Sequence, residues 1–104
     1  MKLSDMKTAR EVLAEDLENP KFREEWERTA LAREVATRVV AYRAEHNLSQ
    51  EGLGRLLGIS QPAVARIEAG DHEPTLSRLR QLSRSLAMEF HIDITQQGLR
   101  LATA

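Results

Sequence analysis

The side chains of this chain that are equipped for chemistry are hydrogen-bonding ones. They concentrate in Leu48–Gly70, which reads L-S-Q-E-G-L-G-R-L-L-G-I-S-Q-P-A-V-A-R-I-E-A-G. Amides, hydroxyls and guanidinium groups lie there within two short amphipathic segments, Ser49–Leu57 and Gln61–Ala69. All nine cations of residues 31–104 are Arg. The planar fork of Arg binds phosphate or guanine through two parallel hydrogen bonds, as Lys cannot. The chemistry that fits is recognition of DNA.

That chemistry needs the two segments held at a fixed angle. The join is Gly58, Ile59 and Ser60, and a three-residue join containing Gly makes two helices meet steeply, as in a helix-turn-helix. Leu53, Leu57, Ile59, Val64 and Ile67 are the apolar positions that bury the unit. Gly54 stands where the helices come closest, and Gly58 supplies a positive φ without steric penalty. Ser60 caps the second helix, and Pro62 is allowed in its first turn, where N–H groups have no intrahelical acceptor.

Other chemistries find little support. The chain of 104 residues has no Cys, so it has no thiol nucleophile, disulfide or Cys-based metal site. His46, His72 and His91 fall on different elements without ligand spacing, so no metal is expected. Gly52, Gly54 and Gly58 do not fit a phosphate-binding G-x-G-x-x-G, and a helix rather than a strand precedes them. No nucleophile–base pair is visible, so no enzyme and no cofactor are expected. The longest apolar run is too short for a bilayer, and the N-terminus has no apolar signal region, so a cytoplasmic location is expected. The net charge is −1, which argues against binding nucleic acid by bulk charge. Residues 1–30 carry six basic and eight acidic groups, and residues 31–104 carry nine and eight.

In chain order, residues 1–7 are expected to fray. Thr8 with Glu11 fits a capping box, and Ala9, Val12, Leu13 and Leu17 follow at helical spacing. Asn19-Pro20 ends this helix and starts the next. The second helix runs toward His46-Asn47, with a break near Thr29–Leu31. Phe22 and Trp26 sit at i and i+4, while Val35, Val39 (or Val40) and Tyr42 mark a second stripe. After the two central helices, Thr75 caps a last helix, Leu76–Ala87, with Leu76, Leu79, Leu82 (or Ser83) and Leu86 as its apolar stripe. Met88, Phe90, Ile92 and Ile94 then alternate with polar residues, the pattern of a half-buried strand over 88–95. Gln96-Gln97-Gly98 is a turn, and Leu99–Leu101 forms a short return strand. Such a strand or hairpin is not stable alone. It must lie on the helices, pair with a second copy of itself, or add to a partner's sheet edge.

The pattern L-S-Q-E-x-L-G-x-x-x-G-I-S-Q-x-x-V-A-R-I-E-x-G, followed by Pro74-Thr75-Leu76, resembles the XRE/Cro-type DNA-binding domains over about residues 31–87. The resemblance implies a mainly α, lambda-repressor-like bundle whose second motif helix enters the major groove. It implies DNA contacts from Gln50, Ser60, Gln61, Ala63 and Arg66, with Gln50 near a phosphate and Gln61 reading adenine. It also implies a structural ion pair between Arg43 and Glu68. Pro62 departs from members with a second glutamine there, so the family's base preference does not transfer.

The flanks are similar to HigA-type antitoxins: Leu13, Leu17, Asn19-Pro20 and Phe22-Arg23 upstream, and the amphipathic strand downstream. That likeness implies a protein toxin of the RelE/HigB ribonuclease type as partner, and repression of a shared operon. The acidic N-terminal helical arm, 1–30, is the expected toxin site, through Val12, Leu13, Glu15, Asp16, Leu17, Phe22 and Trp26. One such motif reads one half-site, so a homodimer on a near-palindromic operator is expected. Met88, Phe90, Ile92 and Ile94 in the C-terminal segment 88–104 are the expected dimer contacts. A free-standing repressor without a toxin is the nearest alternative, and a neutralising module with vestigial DNA binding is another.

Overall fold

The computed structural model describes residues 8–102, and the expectation for residues 1–7 lies outside them. Six helices and a hairpin follow in order: α1 Ala9–Asp16, α2 Pro20–Arg28, α3 Ala30–Glu45, α4 Gln50–Leu57, α5 Gln61–Ala69, α6 Leu76–Leu86, β1 Ile92–Thr95 and β2 Gly98–Leu101. The fold is mainly helical with an antiparallel C-terminal hairpin, in line with the sequence reading.

Local chemistry sets most of the helix ends. Thr8 and Glu11 form the reciprocal capping box. Asn19 accepts from Lys21 and Phe22 with Pro20 behind it. Ser49, Ser60 and Thr75 each accept a backbone N–H of the first turn of α4, α5 and α6. Gly58 and Gly70 close α4 and α5 at φ 73° and 66°. Asn47 takes a positive φ after α3, and Ala87, the expected last residue of α6, takes one just past that helix, which ends at Leu86. The long second helix divides at Thr29, inside the expected break. Thr29 has non-helical backbone angles there and turns its hydroxyl back onto the Glu25 and Trp26 carbonyls.

The core is built on α3. Leu31, Val35 and Val39 of α3 meet Leu53 and Leu57 of α4, Val64 of α5, and Leu79, Leu82 and Leu86 of α6. Ile59, Ile67 and Tyr42 are half-buried at its edge, and Val40 points outward. Leu76 departs from the expected stripe. It is 76 % exposed, because the first turn of α6 overhangs the core.

The C-terminal strand is also shorter than its pattern. Only Ile92–Thr95 pairs, with Leu101–Gly98, across a two-residue turn at Gln96-Gln97 that leaves Gly98 inside β2. Met88, Phe90 and Ile92 alternate as expected and pack on the core, but Met88–Phe90 has no strand opposite it, and His91 only extends the ladder by accepting the Ala102 N–H. Alternation reports which side chains are buried and cannot report whether a ladder forms. Ile94 lies beyond the core and is 77 % exposed. Leu99 and Leu101 of β2 join Ile92 on the inner face. Side-chain clamps fix the hairpin to the helices. Glu34 accepts the Leu101 N–H at 2.6 Å, Arg38 donates to the Glu89 carbonyl at 2.6 Å, and Ser83 donates to the Met88 carbonyl at 2.6 Å.

Two glycines of the central unit are required for different reasons. A Cβ on Gly54 would stand 2.6 Å from the Ile59 carbonyl oxygen, which is backbone and cannot swing away. A Cβ on Gly58 would meet nothing, and only the φ of 73° opposes it. Gly54→Ala is therefore expected to cost about 3 kcal/mol, and Gly58→Ala about 1 kcal/mol. In thermal melts the first should fall by more than about 10 °C and the second by about 4–8 °C. An equal or smaller loss at Gly54 would contradict the close approach.

Candidate nucleic-acid interface

The elements of the interface are α4, the turn at Gly58–Ser60, and α5. Gln50 begins α4 and Gln61 begins α5, so their amides come together across the turn. Gln61 Nε2 donates to Gln50 Oε1 at 2.6 Å, and Gln50 Nε2 donates to Glu68 Oε1 at 3.1 Å. Glu68 in turn takes Arg43 in a two-bond fork, Nε to Oε2 at 2.7 Å and Nη2 to Oε1 at 2.9 Å. Arg43 uses its remaining nitrogen on the Leu48 carbonyl at 3.1 Å. One continuous chain of hydrogen bonds thus runs from α3 through the last turn of α5 and the start of α4 to the exposed start of α5.

The Glu68 side chain is only 7 % exposed, and that of Arg43 is 24 % exposed. The hydrogen bonds from Arg43 hold the Glu68 carboxyl below the usual carboxylate range against the opposing effect of burial, and Gln50 adds to the lowering. The Arg43 guanidinium is raised by the same bonds. The expected structural pair is present in this geometry.

At the start of α5, Ser60 and Gln61 are exposed and Ala63 is half-buried. Ser60 Oγ accepts the Ala63 N–H at 3.3 Å, so the cap occupies the hydroxyl's acceptor face. Arg66 is exposed one turn further on. Ala63 and Arg66 line one wall of a cleft, and Pro74, Thr75 and Arg78 line another. Sequence reading treated α6 only as an apolar stripe, so it missed Arg78, which brings a second guanidinium to this cleft. It also missed Gln81, which donates to the Leu57 carbonyl at 2.7 Å and ties α6 to the end of α4. No local signal marks that bond, since its partners are 24 residues apart.

The arm residues lie elsewhere. Neither α1 nor α2 has a buried residue. Val12 and Phe22 are exposed, as are Glu15 and Asp16, while Leu13, Leu17 and Trp26 are half-buried. The Phe22 and Trp26 rings stack with centroids 6.2 Å apart, and Arg33 of α3 sits 3.4 Å above Trp26. Trp26 is therefore partly engaged by its own chain. Of the other arm acids, Glu11 caps α1 and Glu25 pairs with Arg28 at 2.6 Å.

Residues 39–91 match the helix-turn-helix family. The match spans the α3 half that carries Arg43, both motif helices, α6 and the approach to β1, and the chain belongs to this family. An uncharacterised helix-turn-helix-type transcriptional regulator of Methanocaldococcus jannaschii is 49 % identical over 35 residues, which cover 34 % of this chain and 53 % of that protein. The chain thus spans about half the length of the curated relative it matches. No solved structure matches significantly. Among the described residues no helix is long and apolar enough to cross a membrane.

The Glu68 geometry fixes the sign of a pH effect. Its folded-state pKa lies below its unfolded one, so the unfolded chain binds the proton more readily. The stabilisation is complete above the ordinary Glu value of about 4.3 and is lost as pH falls through the lower folded value. Glu68→Gln should melt lower than wild type at neutral pH, and its midpoint should depend less on pH between about 5 and 3. Parallel pH profiles for the two proteins would contradict the assignment.

Proposed function

We propose that the protein is a sequence-specific DNA-binding transcription regulator of the XRE type, acting as a homodimer. The observation that carries this is the exposed start of α5, held by the hydrogen-bonded chain Arg43–Glu68–Gln50–Gln61. A rigid helix end presenting an amide and a guanidinium on one side is suited to base edges in a major groove. Gln61 reads a base, adenine by its paired donor and acceptor. Arg66 reaches guanine or phosphate, Gln50 holds a phosphate, and the backbone near Ser60 and Ala63 approaches the DNA backbone. The named relative, itself described as a transcriptional regulator, supports this reading. Two half-sites about 34 Å apart then require two chains.

A second reading adds a protein partner. The arm α1–α2 stands outside the core with Val12 and Phe22 exposed among acids, which is the surface an antitoxin of the HigA type would offer to a basic RelE/HigB-like toxin. In that reading Leu13, Leu17 and the open face of Trp26 complete the apolar contact, with Glu15 and Asp16 supplying charge. A free-standing repressor would use the DNA surface alone, and a purely neutralising module the arm alone.

Binding to an operator selected from random duplexes separates these readings. Gln61→Ala and Arg66→Ala should each weaken specific binding by about 1–3 kcal/mol, roughly five- to 150-fold in Kd. Unchanged affinity for both would remove α5 as the reading element. A chain lacking residues 1–28 should keep its operator affinity but fail to rescue growth of cells expressing the protein encoded by the adjoining reading frame. Full rescue would reject the arm as the toxin site.

A further inference from the structure

The C-terminal hairpin has one closed edge and one open edge. Ala102 N–H donates to the His91 carbonyl at 2.6 Å, which makes His91–Ala102 a hydrogen-bonded pair. Pairs alternate along an antiparallel ladder, so Asp93–Arg100 and Thr95–Gly98 are bonded as well. The backbone groups of Leu99 and Leu101 then point away from β1. Leu101 N–H confirms this by donating to Glu34 of α3, whose carboxylate also lies 3.6 Å from Arg100. That edge lies against α3 and α2 of the same chain. The backbone groups of Ile92 and Ile94 point the other way, and no described residue bonds them. An open row of this kind is a template for another strand.

The apolar surface beside that edge is also incomplete. A groove with Leu76, Leu79, Phe90 and Ile92 as its apolar lining and Arg80, Ser83 and Arg84 as its polar lining runs between α6 and the start of β1. Leu76 and Ile94 are the most exposed large apolar side chains among the described residues, at 76 % and 77 %. Ile94 is on the same face of the strand as Phe90 and Ile92 but lies past the groove.

We propose that β1 pairs antiparallel with β1 of a second copy about a two-fold axis at Ile92. The result is a four-stranded sheet in which Ile94 of each chain fills the other's groove beside Phe90. This deepens the reading of the protein as a homodimer and rests on it. Only residues with outward backbone groups can bond across the edge, so four symmetric registers with axes from His91 to Ile94 compete. An axis at His91 sets Asp93 opposite the partner's Glu89 twice, and like charges directly opposite are destabilising. An axis at Asp93 sets two carboxylates directly opposite each other, which is destabilising. An axis at Ile94 sets Ile94 against its own copy and leaves both grooves uncovered. An axis at Ile92 places Asp93 opposite the partner's His91 twice, where a carboxylate accepts from an imidazole N–H. The same register sets Ile94 opposite the partner's Phe90. His91 and Asp93 are both exposed on the other face of the strand, and within its own chain the His91 ring lies 3.3 Å from the Glu89 carboxylate.

The absence of cysteine makes a direct test available. His91→Cys and Asp93→Cys are introduced in separate full-length chains, mixed under reducing conditions and then oxidised. Facing residues of a non-bonded pair have Cα atoms about 4.5 Å apart, within disulfide reach. The expected result is a disulfide-linked dimer in the mixture and none from either chain alone. Cross-linking of either chain alone overturns the register. A wild-type dimer by light scattering, with no cross-link in any combination, overturns strand pairing but keeps the homodimer. A wild-type monomer under the same conditions overturns both.

Discussion

The carboxylate of Glu68 is the point on which the interface depends. It is nearly buried, and a buried charge is tolerated only when paired and hydrogen-bonded. Arg43 supplies two bonds and Gln50 a third. These three residues belong to three different helices, so satisfying one charge fixes three bodies. Lys in place of Arg43 has no planar fork and could not bond both carboxylate oxygens and the Leu48 carbonyl together. The rotation of α5 about its own axis is set by this pair, and with it the directions of Gln61, Ala63 and Arg66. The contact of Gly54 with the turn carbonyl of Ile59 sets the other coordinate, the distance between α4 and α5.

Helix α3 is the strut that couples the remaining parts. Its C-terminal end holds Arg43. Its middle presents Val35 and Val39 to the core. Its N-terminal half holds the arm through Arg33 on Trp26 and closes the hairpin through Glu34. A two-stranded hairpin is marginal by itself. Here Glu34, Arg38 and Ser83 clamp it, and Phe90, Ile92, Leu99 and Leu101 rest on the helices. Recognition helix and hairpin are thereby held in one rigid frame. A strand-mediated dimer built on that frame would carry two recognition helices at a fixed spacing.

Most of the helical framework was legible in the sequence, because it is written in local chemistry. The caps at Thr8, Asn19, Ser49, Ser60 and Thr75, and the glycines at 54 and 58, each act within a few residues. What was not legible depends on distance. The Glu34–Leu101 bond spans 67 residues and has no sequence signature. Gln81 looks like a surface residue until Leu57 is beside it. The alternation at 88–95 correctly marked Met88, Phe90 and Ile92 as inward, yet it overextended the strand and misplaced Ile94, since burial and pairing are separate properties. Leu76 failed for a related reason: helical spacing gives direction around an axis but not whether the core extends that far along it. At the interface, composition indicated the groups, while the linkage of Gln50 to Gln61 required the fold.

On the proposed reading, the N-terminal end of α5, held by Glu68, is the surface that meets DNA. Backbone amide resonances followed during titration with a duplex enriched from a random pool test it most directly. The largest shifts are expected at Gln50, Ser60–Ala63 and Arg66, with Ile92–Thr95 and α1 unchanged. Shifts confined to the arm or the hairpin, with Ser60–Arg66 silent, would contradict it.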